Sequence, residues 1–170
     1  MRLVVLIAHN LRSCHNVGSL LRTAEGLGVA RVYLTGYTPY PRPLTGHDPR
    51  LPHIAAKLHK QIQKTALRAE ETQPWEHNES VEEVVRNLRA QGFMIAAIEQ
   101  APSSTPLPGF SPPDKIALLV GREVEGVERE VLALCDKILE IPMFGRKESF
   151  NVAQATAMGL YHSTFTPQKA

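Results

Sequence analysis

A chain of 170 residues, 43% hydrophobic and 21% charged, can bury a core within one domain of ordinary size. Its net charge of +2 is close to balance, and no apolar run approaches the ~20 residues of a membrane-spanning helix. Cys14 and Cys135 form neither a CxxC nor a metal-ligand spacing, which sets aside a disulfide framework and a structural zinc and points to reduced thiols in the cytoplasm.

The start, Met1 to Asn10, superficially resembles a signal peptide. Its apolar stretch is short and runs straight into a capped helix, so residues 2–8 read as a first strand. Asn16 or a near neighbour caps a helix running to about Leu27 and stopped by Gly28. Residues 31–35 are a second strand. A loop with five prolines fills 36–52, and Ile54, Leu58 and Ile62, spaced by four, predict a helix over 53–67. Trp75 begins a short edge strand. Ser80, three residues before Glu83, has the capping-box spacing and opens a helix to about Ala90. Strand 93–98, a Pro-rich loop over 101–113, strand 115–120, a helix near 128–134, strand 137–141 and a last helix over 151–165 complete the chain. Alternating strands and helices predict an α/β fold, with a mainly parallel sheet covered on both faces, and a single domain over 1–170.

Charge is segregated along the sequence. Arg42, Arg50, Lys57, Lys60, Lys64 and Arg68 stand against one acid, Asp48, and the segment from Glu70 to Glu83 holds six glutamates and no Lys or Arg. A basic block of this kind is a solvated helix face or a phosphate-contacting surface, where cations gain affinity by releasing counterions. The last helix carries small residues (Ala153, Ala155, Ala157, Gly159) with apolar ones spread around its circumference. It calls for cover on most sides, by the domain itself or by a second subunit.

Three polar clusters fall at strand-to-helix junctions, where an open parallel sheet presents its ligand site. On the first helix Leu20, Leu21, Ala24 and Leu27 form an apolar arc and Arg22 points away from it, with Gly18 and Gly26 four residues before and after. Those glycines leave room beside the guanidinium, or Arg22 is one half of an exposed pair with Glu25. Gly121-Arg122-Glu123-Val124-Glu125-Gly126 follows an apolar strand but has neither the dinucleotide nor the phosphate-loop spacing. In Ile141-Pro142-Met143 through Ser149-Phe150-Asn151-Val152, Ser149 or Asn151 can cap the last helix, whose free N–H groups make a polar pocket.

Taken in order, His15 to Gly28, Gly121 to Gly126 and Ile141 to Val152 resemble the three motifs of the SpoU (TrmH-like) branch of the SPOUT RNA methyltransferases. Lys64 to Leu67 with Glu70, Glu71, Thr72, Pro74 and Trp75 resembles a further family segment. Phe150, where Leu is usual, and Gln154, where a small residue is commoner, depart from the pattern without removing a polar group. The resemblance implies a C-terminal deep trefoil knot, a homodimer with its reaction centre beside the subunit interface, and S-adenosylmethionine (SAM) as cofactor. It implies transfer of a methyl group to a ribose 2′-hydroxyl of RNA; a compact domain favours tRNA over a large ribosomal target, and the first motif resembles the guanosine-loop tRNA enzymes more than the wobble-position ones. By its pattern Arg22 is the central catalytic residue, Asn16 positions it, Glu123 and Ser149 arrange the ribose, and Asn151 holds the loop. SAM is expected near Ile98, Glu99, Leu119, Val120, Gly121, Ile141, Met143, Gly145 and Ser149. The RNA surface is expected at Arg42, Arg50, Lys57, Lys60, Lys64 and Arg68, with no separate RNA-binding domain and no metal. Alternatives are a SPOUT base methyltransferase, an RNA-binding module without turnover, and a nucleotide-binding α/β protein of another kind.

Overall fold

A computed structural model describes residues 2–167. Seven strands form one sheet in the order β3-β2-β1-β6-β4-β7-β5, and every neighbouring pair is parallel. They are β1 (Leu3–His9), β2 (Arg31–Thr35), β3 (Trp75–Asn78), β4 (Met94–Ile98), β5 (Thr105–Pro106), β6 (Lys115–Val120) and β7 (Lys137–Glu140). The helices are α1 (Cys14–Gly26), α2 (Pro52–Ala66), α3 (Ala69–Thr72), α4 (Val81–Ala90), α5 (Arg129–Leu132) and α6 (Val152–Phe165).

Alternation along the central strands builds two cores. Val4, Leu6 and Ala8 of β1 and Ile116, Leu118 and Val120 of β6 face α1, α2 and α6. Val5, Ile7, Ala117 and Leu119 face the opposite side, under α4 and α5. Unbroken apolar runs, residues 4–8 in β1 and 116–120 in β6, are what a strand buried on both faces requires. The last helix, α6, packs against β1, β4 and β6.

Local chemistry sets the helix ends. Ser13 caps α1 by accepting the Asn16 N–H at 3.2 Å, so Asn16 lies inside the helix and its side chain is free for other work. Gly28, at φ 69°, ends the chain's helical course after Leu27, as its position suggests. Ser80 accepts the Glu83 N–H at 3.1 Å, but Asn78 rather than Glu83 takes the Ser80 N–H, so the capping box is half formed. The two-residue edge strand β5 and the single turn Leu107–Gly109 lie inside the proline-rich segment expected to be loop. Pro106 is tolerated there because an edge strand can spare a donor.

Gly18 has a packing role that the spacing of the α1 glycines alone does not show. A Cβ on Gly18 would come within 3 Å of Thr65 Oγ1, the Ile62 carbonyl and the Ala66 nitrogen, so Gly18 lets α1 and α2 touch backbone to side chain. Thr65 donates a 2.7 Å hydrogen bond to the His15 carbonyl across the same contact. Nothing lies near Gly26, and Arg22 makes no ion pair with Glu25 among the described residues. On α6, Val152, Thr156, Gly159, Leu160 and Ser163 are buried, whereas Tyr161 and Phe165 are 62% and 56% exposed. The domain therefore covers one side of this helix and leaves the other open.

Candidate active site

Where β4, β6 and β7 end, a cleft of about 270 Å³ opens. Its walls are Ile98, Glu99 and Gln100 after β4, Val120 to Gly126 after β6, Ile141 after β7, Glu148 to Phe150, and Val152 and Ala155 of α6. Ligands of open α/β sheets bind outside the carboxyl ends of strands for a reason visible here: loops diverge there and helix N-termini point in.

The Gly121–Gly126 segment is a tight, self-bonded turn. Arg122 and Gly126 exchange two backbone hydrogen bonds of 3.1 Å, and Gly126 sits at φ 71°. A Cβ on Gly121 would lie 2.8 Å from the Gly126 carbonyl group, so this glycine serves close approach of two backbone segments. Glu99 ties the turn to β4 by accepting the Val127 N–H at 3.0 Å. On the other wall Gln100 Nε2 donates to the Glu148 carbonyl at 2.8 Å.

Glu123 reaches from this turn to the start of α1. Its carboxylate accepts the Ser13 N–H at 3.0 Å, the Arg12 N–H at 3.2 Å and Asn16 Nδ2 at 3.2 Å. Burial pushes this carboxyl up, but the hydrogen bonds from Ser13, its own backbone, Asn16 and Arg12 together outweigh it and hold the pKa below the ordinary value. A carboxylate that holds its charge and is engaged this way suits anchoring better than proton abstraction. Asn16 then presents Oδ1 to Asn151 Nδ2 at 3.5 Å, while Asn151 Oδ1 caps α6 by accepting the Ala153 N–H at 2.8 Å. One amide chain thus links the first helix, the middle turn and the last helix.

The structure brings Asn16, Glu123 and Asn151 into contact and puts Ser149 on the adjoining wall. It does not bring Arg22 there. Arg22 is exposed, about 9 Å farther along α1 at 1.5 Å per residue, with no hydrogen bond or ion pair among the described residues. Of the expected cofactor residues, Ile98, Glu99, Val120, Gly121, Ile141 and Ser149 line the cleft. Leu119 does not. Strand alternation turns it into the opposite core, where it is 0% exposed. Met143 and Gly145 also lie off the walls, because β7 ends at Glu140 and the chain swings outward through Phe144, which is 100% exposed. Arg122, which is not among the expected site residues, also lines the cleft.

The basic block divides. Lys57, Lys60 and Lys64 project from α2 at spacings of three and four, exposed and free of ion pairs among the described residues, and Arg42 is exposed beside them. Arg68 is exposed and pairs with Glu71 at 3.4 Å. Arg50 is committed to structure. It holds Asp48 Oδ2 at 2.7 Å, the Tyr40 and Pro41 carbonyls, and lies 3.6 Å over the Tyr40 ring, which braces the proline loop. Four of its five N–H donors are engaged, so it is withdrawn from the expected RNA surface.

Residues 50–161 match the model of the SpoU rRNA Methylase family. The 23S rRNA (guanosine-2′-O-)-methyltransferase RlmB of Neisseria meningitidis is 30% identical over 92% of the chain and 56% of its own length. An AdoMet-bound rRNA methyltransferase from Sinorhizobium meliloti superposes with a TM-score of 0.77 at 22% identity, over 95% of this chain and 55% of that one. A structure described as giving insights into the 2-OH methylation of C/U34 on tRNA superposes at 0.73 with 25% identity, over 95% of this chain and 94% of that one. The chain spans about half the length of the curated relatives it matches. With its sheet order, its cleft and its second and third motifs all inside the matched region or its structural equivalents, the chain belongs to the SpoU methylase family.

Proposed function

We propose that this chain is the catalytic domain of a SAM-dependent RNA 2′-O-ribose methyltransferase that acts on tRNA in the cytoplasm. The observation that carries the reading is the meeting of Asn16, Glu123 and Asn151 at the rim of one cleft, across separations of 107 and 135 residues from Asn16. The walls suit the cofactor. SAM carries a sulfonium and an ammonium, and Glu99, Glu123, Glu125 and Glu148 line the cleft. A volume of about 270 Å³ lies just under the usual range for small-molecule sites and is open on one side.

When bound, SAM supplies a methyl group already activated on sulfur. The chain must orient the ribose and manage the hydroxyl proton. Glu123 fixes the first turn of α1 and with it the Asn16 amide. Ser149, on the wall beside Asn151, is placed to hydrogen-bond the ribose. Arg22 clamps a substrate phosphate and stabilises the developing alkoxide. A guanidinium with a pKa above ~12 stays protonated, so this role is electrostatic rather than basic.

Arg22 makes no hydrogen bond or ion pair among the described residues, and α6 leaves Tyr161 and Phe165 exposed. Both features support a homodimer in which Arg22 of one protomer serves the cleft of its partner. The lysine row on α2 adjoins α1 through the Gly18–Thr65 contact and supplies the phosphate-binding surface. The superposition on the structure concerned with C/U34 of tRNA, over nearly all of both chains, favours tRNA. An rRNA substrate is the second reading, favoured by the Neisseria relative.

Mapping 2′-O-methyl sites in total RNA with and without the gene tests this. Loss of a tRNA site is the expected result. Loss of an rRNA site instead overturns the substrate, and an unchanged map overturns the activity.

A further inference from the structure

Five charged side chains line the cleft among the described residues: Glu99, Glu123, Glu125, Glu148 and Arg122. Arg122 is therefore the one cation on a predominantly acidic wall. Its guanidinium is fixed at one corner. Nε donates to the Gly126 carbonyl at 3.4 Å and lies 3.4 Å from Glu128 Oε1. Neither Nη donates a hydrogen bond to any described residue, and the side chain is 26% exposed.

Glu128 is itself held in place. Asn10 Nδ2 donates to its Oε1 at 2.9 Å, and Oε2, which is buried and accepts no hydrogen bond among the described residues, lies 3.7 Å from His9 Nε2. A guanidinium braced at Nε and open at both Nη atoms has the fork that meets a carboxylate through two parallel hydrogen bonds.

We propose that Arg122 recognises the α-carboxylate of the methyl donor and that Glu128 is the positioning residue that aims it. The inference rests on the cleft being the SAM site. The donor has three charged groups, and the acidic wall suits its two cations, with Glu123 engaged at Ser13 and Asn16 and Glu125 paired with Arg12 at 3.4 Å. The donor's carboxylate has one candidate cation on these walls, and that cation has two Nη groups that donate to no described residue. Arg122 then gives the site its preference for an intact amino-acid moiety.

Calorimetry with SAM and with decarboxylated SAM tests the assignment, because the second ligand lacks the group in question. The wild-type chain is expected to bind SAM the more tightly. Arg122→Ala should weaken SAM about tenfold or more and decarboxylated SAM less than about twofold, since a hydrogen bond between charged groups is what is removed. Arg122→Lys should restore part of the loss, and Glu128→Gln should weaken SAM by less than Arg122→Ala with the same indifference to decarboxylated SAM. An equal loss for both ligands, no loss for either, or a loss confined to RNA binding would each overturn the proposal. Wild type binding both ligands equally also overturns it while leaving the methyltransferase reading intact. Wild type binding neither overturns that reading and this inference together.

Discussion

Gly18→Ala is the sharpest probe of how the first helix is held. The added Cβ would sit within 3 Å of three α2 atoms, two of which, the Ile62 carbonyl oxygen and the Ala66 nitrogen, are backbone. Neither can rotate away, so α1 and α2 must separate. Overpacking of this kind costs about 1–3 kcal/mol, and separation strains the Thr65 hydrogen bond to the His15 carbonyl, about 1 kcal/mol more. Alanine's helix preference returns at most ~1 kcal/mol. The net loss is then about 1–3 kcal/mol, a fall of roughly 2–10 °C in melting temperature for a domain of this size. The same change at Gly26, where nothing lies within 4 Å, should be neutral or stabilising by up to ~0.5–1 kcal/mol. Urea denaturation followed by circular dichroism reads both. If Gly18→Ala matched or exceeded the wild type, the close-approach explanation would be wrong, and the glycine would have to serve a ligand beside Arg22.

Other outcomes follow from the same structure. Glu123 has a lowered pKa when folded, so its contribution to stability is complete above the ordinary carboxylate value and is lost as pH falls through the folded one. Glu123→Gln should cost about 1 kcal/mol at pH 7, and thermal melts of variant and wild type should converge as pH falls below the ordinary carboxylate range. Asp48, brought down to about 2 chiefly by its hydrogen bond with Arg50, behaves alike: Asp48→Asn should loosen the proline loop to limited proteolysis at neutral pH, with the difference fading as pH drops from about 4 towards 2. Lys57→Ala, Lys60→Ala and Lys64→Ala should each weaken RNA binding and lower the salt slope of log K by about 0.7–0.9, measured by filter binding. Arg50→Ala should leave that slope unchanged. A changed slope there would return Arg50 to the RNA surface.

Much of this architecture was readable in advance because its signals are local. β-branched apolar runs mark strands buried on both faces, and Ser80 and Asn151 announce helix starts by chemistry that needs only neighbouring residues. What escaped depends on distant partners. Gly18 answers to Ile62 and Thr65, and Arg50 to Tyr40 and Asp48. Leu119 and Val120 are chemically alike in sequence, yet the pleat sends one to the cleft and the other to the opposite core. β5 is two residues long and contains a proline, too little for any periodicity to register. Arg122 was not among the expected site residues because its contacts, Glu128 and the Gly126 carbonyl, are brought to it only by the folded turn. Arg22 was expected to join Asn16 and Glu123, but six residues of helix rotate and carry it away from them.

The most direct test is the chemistry of the product. Purified protein is incubated with tRNA and methyl-labelled SAM, and the RNA is then hydrolysed in alkali. A methylated 2′-oxygen cannot attack the adjacent phosphate, so the account predicts that label is recovered in an alkali-resistant dinucleotide. Label released in single nucleotides bearing a methylated base, or no label transferred to any RNA, would contradict it.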